Sequence, residues 1–251
     1  MTWKLGQKFA IVIVGDEFTR GESNETNGPW IARQLVNYGF SVELCIQLSD
    51  DLDSLSYWLR HLMKGPIDHL IVSGGIGGTH DDHTRESIAQ ALSLPIKVHQ
   101  ACLKILEKKY AGRLNDQRKR MSHLPLGSKL IDNPQGAPGF QVANITALPG
   151  FPRMVKDMLP NLLAESGGRN HSIIHLDAHF SNLTEGDIAV QVEEFVNKWS
   201  RDIESLGIYP DATEGVRAVS LKLRYNASVD KNLINSFEEL VLSLGGTLEN
   251  S

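Results

Sequence analysis

Short continuous apolar runs alternate with amphipathic segments over the first two thirds of the chain. The runs have the length and composition of buried parallel strands and cover residues 9–14, 40–48 and 67–72. The other segments repeat apolar residues at helical spacing and cover residues 29–38, 52–63 and 84–94. This alternation predicts an α/β domain with a mostly parallel sheet.

The pattern changes after a short polar, glycine-rich stretch at residues 165–170. Beyond it, we predict strands at residues 172–176 and 218–225 and helices at residues 187–199 and 231–244. The chain is therefore divided into a large domain at residues 1–168 and a small α+β domain at residues 169–251.

A glycine-rich segment, residues 73–86, joins four glycines to two carboxylates at a predicted strand-to-helix turn. Glycine permits positive φ and close approach to a ligand, and the first amides of a helix attract anions, so a phosphate site is indicated. Two carboxylates would repel a bare phosphate, and a divalent cation such as Mg²⁺ between them resolves the conflict. Helix capping remains an alternative, because Asp and Thr are ordinary N-cap residues. The residues of interest are Gly74, Gly75, Gly77, Gly78, Thr79, Asp81 and Asp82.

Carboxylates also follow two other predicted strands. Gly15, Asp16 and Glu17 come after the first strand, and Asp50 follows the second. Ligands in open α/β sheets bind at the carboxyl ends of the strands. We therefore expect these side chains to lie near the glycine-rich turn.

A Pro-Gly turn, Pro149-Gly150, follows a strand predicted at residues 140–147 and precedes a helix that begins at Pro152. The start of such a helix can hold an anion. Arg153 either adds a charge-assisted contact to a phosphate or points to solvent.

Six motifs in this order resemble the MogA/MoaB-type molybdopterin-binding fold, and most closely the N-terminal region of CinA-type competence/damage-inducible proteins. They are Gly15-Asp16-Glu17, Thr26-Asn27, Asp50-Asp51 with Asp53 and Leu55, residues 74–86, Asn133-Pro134 with Gly136 to Gly139, and residues 148–152. Two departures are Gly78, where CinA-type proteins usually have Pro, and Glu25, where they usually have Asp. We do not expect the C-terminal deamidase domain of full-length CinA proteins within 251 residues.

The resemblance implies a three-layer α/β/α domain and assigns catalysis to Asp50 and Asp82. It also implies metal-dependent hydrolysis of a pyrophosphate-containing nucleotide such as ADP-ribose, with Mg²⁺, Mn²⁺ or Co²⁺ held by Asp81 and Asp82 and with Asp50 as a further candidate ligand. Molybdopterin binding or adenylyl transfer, and a non-catalytic nucleotide sensor, remain alternatives. The expected ligand-binding residues are Gly15, Asp16, Glu17, Asn27, Gly74, Gly75, Gly77, Gly78, Thr79, Pro149 and Gly150.

Composition and net charge limit the kinds of partner that the protein is expected to bind. With 41% hydrophobic and 22% charged residues, the chain is typical of a globular protein. Its net charge of -5 argues against a broad nucleic-acid surface, and the basic stretch at residues 113–120 is interpreted as a solvated helix face. The sequence has no apolar run of membrane-spanning length, so we expect a cytoplasmic protein. The resemblance implies a homo-oligomer.

Two smaller features remain. Cys45 and Cys102 have no partner spacing for zinc or a redox pair and are predicted to be buried thiols. His175, Asp177 and His179 share one face of a predicted strand. They could bind a transition metal, but an exposed sheet face or an interdomain contact is favoured.

Overall fold

In a computed structural model, the chain divides into two compact units, residues 1–170 and 171–251. The structure describes residues 3–4, 6–165, 173–211, 217–226, 229 and 231–249. The division falls two residues from the predicted one. The predicted linker lies outside the described residues, apart from Glu165.

Strands and helices alternate along the first unit, as the apolar pattern predicts. Its strands are β1 (Lys8–Val14), β2 (Ser41–Leu48), β3 (His69–Ser73), β4 (Ile96–Val98), β5 (His123–Pro125), β6 (Lys129–Ile131), β7 (Gly139–Val142) and β8 (Ile145–Leu148). Its helices are α1 (Asp16–Thr19), α2 (Asn27–Asn37), α3 (Leu52–Lys64), α4 (Thr84–Leu92), α5 (Gln100–Tyr110), α6 (Asp116–Arg120) and α7 (Pro152–Glu165).

Six of these strands form one sheet in the order β2-β1-β3-β8-β7-β6. The first four are mutually parallel, and β7 and β6 extend the sheet with antiparallel pairing. β4 and β5 form a separate two-stranded sheet. The carboxyl ends of β2, β1, β3 and β8 therefore meet along one edge.

Side chains of β1 alternate between two hydrophobic cores, one on each face of the sheet. Ala10 and Val12 pack in a core that includes buried residues of α3, α4 and α5. Phe9 and Ile11 pack in the other core, with buried residues of α2 and α7. Helices thus cover both faces, and the predicted three-layer α/β/α fold with a mostly parallel sheet is confirmed.

Two predicted elements differ from the structure. The strand predicted at residues 140–147 is a hairpin of β7 and β8, with Ala143 at φ 48° in its turn. Ala143 carries none of the usual sequence signals for positive φ, so the apolar run looked continuous. Helix α2 begins at Asn27, two residues before Pro29, because Glu25 accepts the amide hydrogens of Asn27 and Gly28 and caps the helix earlier.

The second unit has the element order β9 (Ile173–Ser181), α8 (Glu185–Trp199), β10 (Ile203–Pro210), β11 (Ala218–Asn226), α9 (Lys231–Ser243) and β12 (Thr247–Glu249). Its antiparallel sheet has the order β10-β11-β9-β12. This is the split βαβ arrangement of ferredoxin-like domains. The predicted small α+β domain lacked β10 and β12, which are edge strands with mixed polar and apolar residues.

The two cysteines differ in burial. Cys102 is buried, and burial raises the pKa of its thiol to about 11, so it stays protonated at neutral pH. Cys45 is exposed on β2, so its predicted burial was wrong.

A buried polar cluster lies between β3, β7 and β8. The Nε2 atom of His69 is 3.0 Å from the Thr146 hydroxyl and 3.3 Å from the Gln141 amide nitrogen. An amide nitrogen only donates, so the imidazole Nε2 accepts from it. Burial lowers the pKa of His69 to about 4, and the ring is neutral at pH 7.

This pKa predicts a loss of stability in acid. Between pH 6.5 and about 4, His69 is protonated in the unfolded chain but remains neutral in the folded protein. The contribution of His69 to the free energy of unfolding is therefore fully present above pH 6.5 and decreases as the pH falls. The shift corresponds to roughly 3 kcal/mol. Urea unfolding of His69→Gln should lose less stability between pH 7.5 and 4.5 than the wild-type chain does. His80→Gln, at an exposed histidine, is the control and should follow the wild-type profile; identical profiles for all three chains would contradict the prediction.

Candidate functional site

Four neighbouring strand ends build the candidate site. Asp50 follows β2, Asp16 follows β1, the glycine-rich turn follows β3, and the turn Pro149-Gly150 follows β8. Because these strands are parallel and adjacent, all four segments lie at one edge of the sheet. The expected convergence therefore follows from the observed topology.

The glycine-rich turn needs its first two glycines for conformation. Gly74 has φ 112° and Gly75 has φ 63°, a region that side chains with a Cβ rarely adopt. A Cβ on Gly74 would collide with the Val14 carbonyl, and one on Gly75 would lie 2.7 Å from Asp50 Oδ1. Gly75 therefore leaves the space in which the Asp50 carboxylate sits.

Gly77 and Gly78 do not have positive φ, in contrast to the expectation for all four glycines. They are required for space instead. A Cβ on Gly77 would lie 2.6 Å from Asp82 Oδ2, and one on Gly78 would collide with the Gln117 carbonyl of α6. Gly78 thus allows α6 to pack directly on the turn.

The carboxylate of Asp82 accepts hydrogen bonds from amides of the turn. Its Oδ1 accepts from the Gly77 amide at 2.9 Å, and its Oδ2 accepts from the amide of Thr79 at 2.7 Å and from the Thr79 hydroxyl. The Thr84 amide, at the start of α4, donates to the Gly75 carbonyl at 3.0 Å. Of the backbone amides expected to bind a phosphate, those of Gly77, Thr79 and Thr84 therefore already have acceptors within the chain.

Asp50 has the strongest electrostatic perturbation among the carboxylates of the site. Its Oδ1 atom is buried and has no hydrogen-bond partner among the described residues. Burial, followed by the negative charges of Asp82, Asp16, Asp81 and Glu17, raises its pKa to about 6. All the charges that act on Asp50 here are negative, so a proton or a cation would relieve the repulsion.

The predicted set contains three further carboxylates near Asp50 and Asp82, those of Asp16, Glu17 and Asp81. Asp16 accepts the Asp50 amide hydrogen at 3.1 Å through Oδ1 and binds Arg20 at 2.5 Å through Oδ2. Glu17 and Asp81 are exposed, with 66% of the Asp81 side chain accessible. The structure therefore brings Asp16, Asp50 and Asp82 into the site and leaves Glu17 and Asp81 at its rim.

Asn27 is buried and hydrogen-bonds two of the strand ends that form the site. Its side-chain amide donates to the Gly150 carbonyl at 2.7 Å and to the Ser73 hydroxyl at 3.3 Å, and Ser73 donates in turn to the Pro149 carbonyl at 2.9 Å. Asn27 thus joins the ends of β3 and β8. Gly15, at the end of β1, has extended backbone, and its amide donates to the Leu48 carbonyl of β2.

Arg85 is a site residue that sequence reasoning missed. It is fully buried on α4, and its Nη1 donates to the Ile76 carbonyl at 2.6 Å and to the Gly77 carbonyl. It therefore holds the turn from behind. The signal was available, because Arg85 is three residues before Ile88 and lies on the apolar face of the predicted helix.

Arg120 was also missed, because residues 113–120 were interpreted as a solvated helix face. Its Nη1 lies 3.3 Å from the Thr79 carbonyl, which brings a guanidinium to the glycine-rich turn. Nothing in the local sequence indicates this contact. Arg153, by contrast, is exposed at the start of α7.

The described residues contain no preformed cluster of metal-ligating side chains. None of their His, Cys, Asp and Glu side chains form a group of three or more that could hold a metal ion. Asp50 and Asp82 could still supply two oxygen ligands to a hard cation that takes its others from phosphate and water. The unpartnered Oδ1 of Asp50 fits this role.

The strand face that carries His179 and Asp177 belongs to the second unit. His179 lies 2.8 Å from the Ser220 hydroxyl and 3.4 Å from Glu249, and Asp177 lies 3.7 Å from Lys222. His175 is exposed on the same strand. Cross-strand pairs on an open sheet face account for His179 and Asp177, as the favoured interpretation expected.

Residues 10–166 match the family model described as a probable molybdopterin binding domain. The chain belongs to this family. The match covers every element of the candidate site, from Asp16 to Gly150. It also confirms the predicted MogA/MoaB-type, CinA-like fold.

Over most of its length, this chain is similar to proteins of Saccharolobus islandicus and Sulfurisphaera tokodaii. A protein of Saccharolobus islandicus (strain M.16.27) is 29% identical over 83% of this chain and 82% of its own. A protein of Sulfurisphaera tokodaii is 27% identical over 95% of this chain and 96% of its own. The crystal structure of CinA from Thermoplasma acidophilum, a protein with unknown function, is 28% identical with a TM-score of 0.60, and covers 64% of this chain and 99% of that one.

The helices of the described residues do not have membrane-spanning character. None of those in the described parts of the chain is long and apolar enough to cross a bilayer.

Removal of the neighbouring charge should change the titration of Asp50. Asp82 is the largest charged contributor to its raised pKa, so Asp82→Asn should lower that pKa below about 6. Carboxyl carbon chemical shifts measured by NMR from pH 3 to 8 report this value. Asp53→Asn, on the exposed side of α3, is the matched control and should leave the titration unchanged. An unchanged Asp50 titration in Asp82→Asn would contradict the electrostatic description of the site.

Proposed function

We propose that the first unit binds a pyrophosphate-containing nucleotide, such as ADP-ribose, together with a divalent cation and hydrolyses its phosphoanhydride bond. The observation that carries the proposal is Asp50. Its Oδ1 has no hydrogen-bond partner among the described residues, and burial and neighbouring carboxylates raise its pKa to about 6. A carboxyl group with this pKa exchanges a proton close to neutral pH, as a general base requires.

A divalent cation, Mg²⁺, Mn²⁺ or Co²⁺, fits between Asp50 and Asp82. It would offset the repulsion between the carboxylates, while burial, the largest cause of the raised pKa of Asp50, remains. Two protein carboxylates are a usual complement for Mg²⁺ bound to substrate phosphates. When bound, the cation neutralises charge on the phosphate oxygens. Asp81 is exposed, and we assign it to the outer rim.

The proposed reaction uses residues whose positions are fixed. A water oxygen bonds to one phosphorus atom, the bridging P–O bond breaks, and a proton of the water passes to Asp50. Asp16 orients Asp50 by accepting its backbone amide hydrogen. Asp82 keeps the turn in shape through the amides of Gly77 and Thr79. Preorganised groups of this kind avoid the cost of rearrangement during the reaction.

The family match favours a second candidate function, molybdopterin binding, with adenylyl transfer as its associated reaction. It would use the same strand ends. The two functions differ in the ligand that binds and in whether a phosphoanhydride bond is cleaved.

A screen of the full chain separates these possibilities. Purified protein is incubated with ADP-ribose, FAD, NAD or ATP and with Mg²⁺, Mn²⁺ or Co²⁺, and phosphate-containing products are followed. Release of AMP from ADP-ribose would support the proposal. Molybdopterin binding without hydrolysis would replace it with the second function, and nucleotide binding without turnover would indicate a sensor.

With the combination of nucleotide and metal ion that gives activity in this screen, Asp82→Asn should lose far more activity than Asp81→Asn. Asp82 holds the turn and faces Asp50, whereas Asp81 is exposed. Loss of one preorganised electrostatic group commonly costs about 10²-fold in rate. Initial rates are compared for variants whose melting temperatures stay within a few degrees of the parent. Equal rates for the two variants would contradict the assignment.

Metal affinity should depend on pH through Asp50. A carboxylate must lose its proton to bind a cation, so Mn²⁺ affinity should rise roughly tenfold between pH 5 and 7.5, as Asp50 passes its pKa of about 6. Mn²⁺ titrations followed by electron paramagnetic resonance measure this change. Asp50→Asn should remove the dependence and Asp53→Asn should keep it. A pH-independent affinity in the parent protein would exclude Asp50 as the ligand.

A further inference from the structure

Several donors of the glycine-rich turn are already used within the chain. The amides of Gly77 and Thr79 donate to Asp82, and the Thr84 amide donates to the Gly75 carbonyl. Arg85 donates to the turn's carbonyls from behind through Nη1, and its Nε and Nη2 are buried within the fold. A positively charged side chain on the open side of the turn would add a donor for the anionic part of a ligand.

Helix α6 brings three consecutive basic residues to this region, but they have different partners. Arg118 lies over the Tyr110 ring, 4.7 Å from its centroid. Lys119 lies 3.3 Å from the Asp116 carboxylate of its own helix. Arg120 reaches the Thr79 carbonyl at 3.3 Å. Of these three side chains, the one shown with a hydrogen bond to the glycine-rich turn is that of Arg120.

Packing fixes the approach of α6 to the turn. A Cβ on Gly78 would collide with the Gln117 carbonyl, so the helix backbone rests directly on the turn. Thr79 then links two opposite charges, because its amide donates to Asp82 at 2.7 Å and its carbonyl accepts from Arg120. Burial lowers the pKa of Arg85, and the charge of Arg120 contributes in the same direction while that of Asp82 opposes it. These three groups are therefore within electrostatic reach of one another.

We infer that Arg120 contacts the phosphate of the bound ligand, at the side of the site opposite the cation between Asp50 and Asp82. A guanidinium has five N–H donors in a planar fork that matches phosphate, and the contact with Thr79 uses one of them. The site then has an acidic centre for a cation and, at the α6 side, a guanidinium for an anion. It would select ligands with a diphosphate. This inference rests on the proposed function.

The test compares two charge-matched variants of the full chain, Arg120→Gln and Lys119→Gln. Each removes one positive charge from adjacent positions of α6, but Lys119 is paired with Asp116 and not with the turn. Calorimetry measures the binding of inorganic pyrophosphate and of ADP-ribose in the presence of Mg²⁺. Arg120→Gln should weaken both roughly 10- to 100-fold, the range for one charge-assisted hydrogen bond, and Lys119→Gln should change them less than about twofold.

A positioning role for Arg120 is distinguished by the affinity for Mn²⁺ alone. If Arg120 contacts phosphate, Arg120→Gln retains the parent affinity for Mn²⁺, and Arg120→Lys recovers part of the pyrophosphate affinity. A parallel loss of Mn²⁺ affinity would mean that Arg120 only holds Thr79 and Asp82 in place, and would overturn the inference. Equal pyrophosphate affinity in the two glutamine variants would overturn it as well, while leaving the proposed hydrolysis intact. A parent protein that binds neither pyrophosphate nor ADP-ribose would overturn both proposals.

Discussion

The carboxylate of Asp82 is the interaction on which the candidate site depends. It accepts hydrogen bonds from the amides of Gly77 and Thr79 and so sets the shape of the glycine-rich turn. The same negative charge raises the pKa of Asp50. The fold therefore gains a defined turn at the cost of repulsion between two carboxylates, and a bound cation or proton would relieve it.

The positively charged groups near Asp50 and Asp82 do not cancel the repulsion between these two carboxylates, because each of them has another partner. Arg85 is buried behind the carbonyls of the turn, Arg20 is paired with Asp16, and Arg120 contacts Thr79 on the side of α6. The charges that contribute most to the raised pKa of Asp50 are consequently those of the neighbouring carboxylates. Such a division between an acidic centre and a guanidinium at the α6 side suits a ligand that brings a cation and phosphate together.

Close packing of glycines connects the site to the rest of the fold. Gly74 lies against the backbone of β1, Gly75 against Asp50, and Gly78 against α6. Each contact comes from a segment distant in sequence, so the turn is shaped by tertiary approach as much as by its own conformation. This explains why Gly78 is a glycine without positive φ, whereas Gly77 leaves space for the nearby Asp82 carboxylate.

The sequence by itself determined the alternation of strands and helices in the first unit and the carboxylates at its strand ends. Apolar periodicity depends on which residues must be buried, and parallel strands place their carboxyl ends together, so Asp50 and Asp82 could be assigned to one edge without coordinates. Only the tertiary structure decided that residues 139–148 form a hairpin, that the amides of the turn belong to Asp82, and that Arg120 reaches Thr79. The contact of Arg120 with Thr79 joins residues 41 apart, and local residue patterns carry no information about such distances. The hairpin and the turn are local, but they depend on backbone conformations, such as φ 48° at Ala143, that the residue types do not indicate.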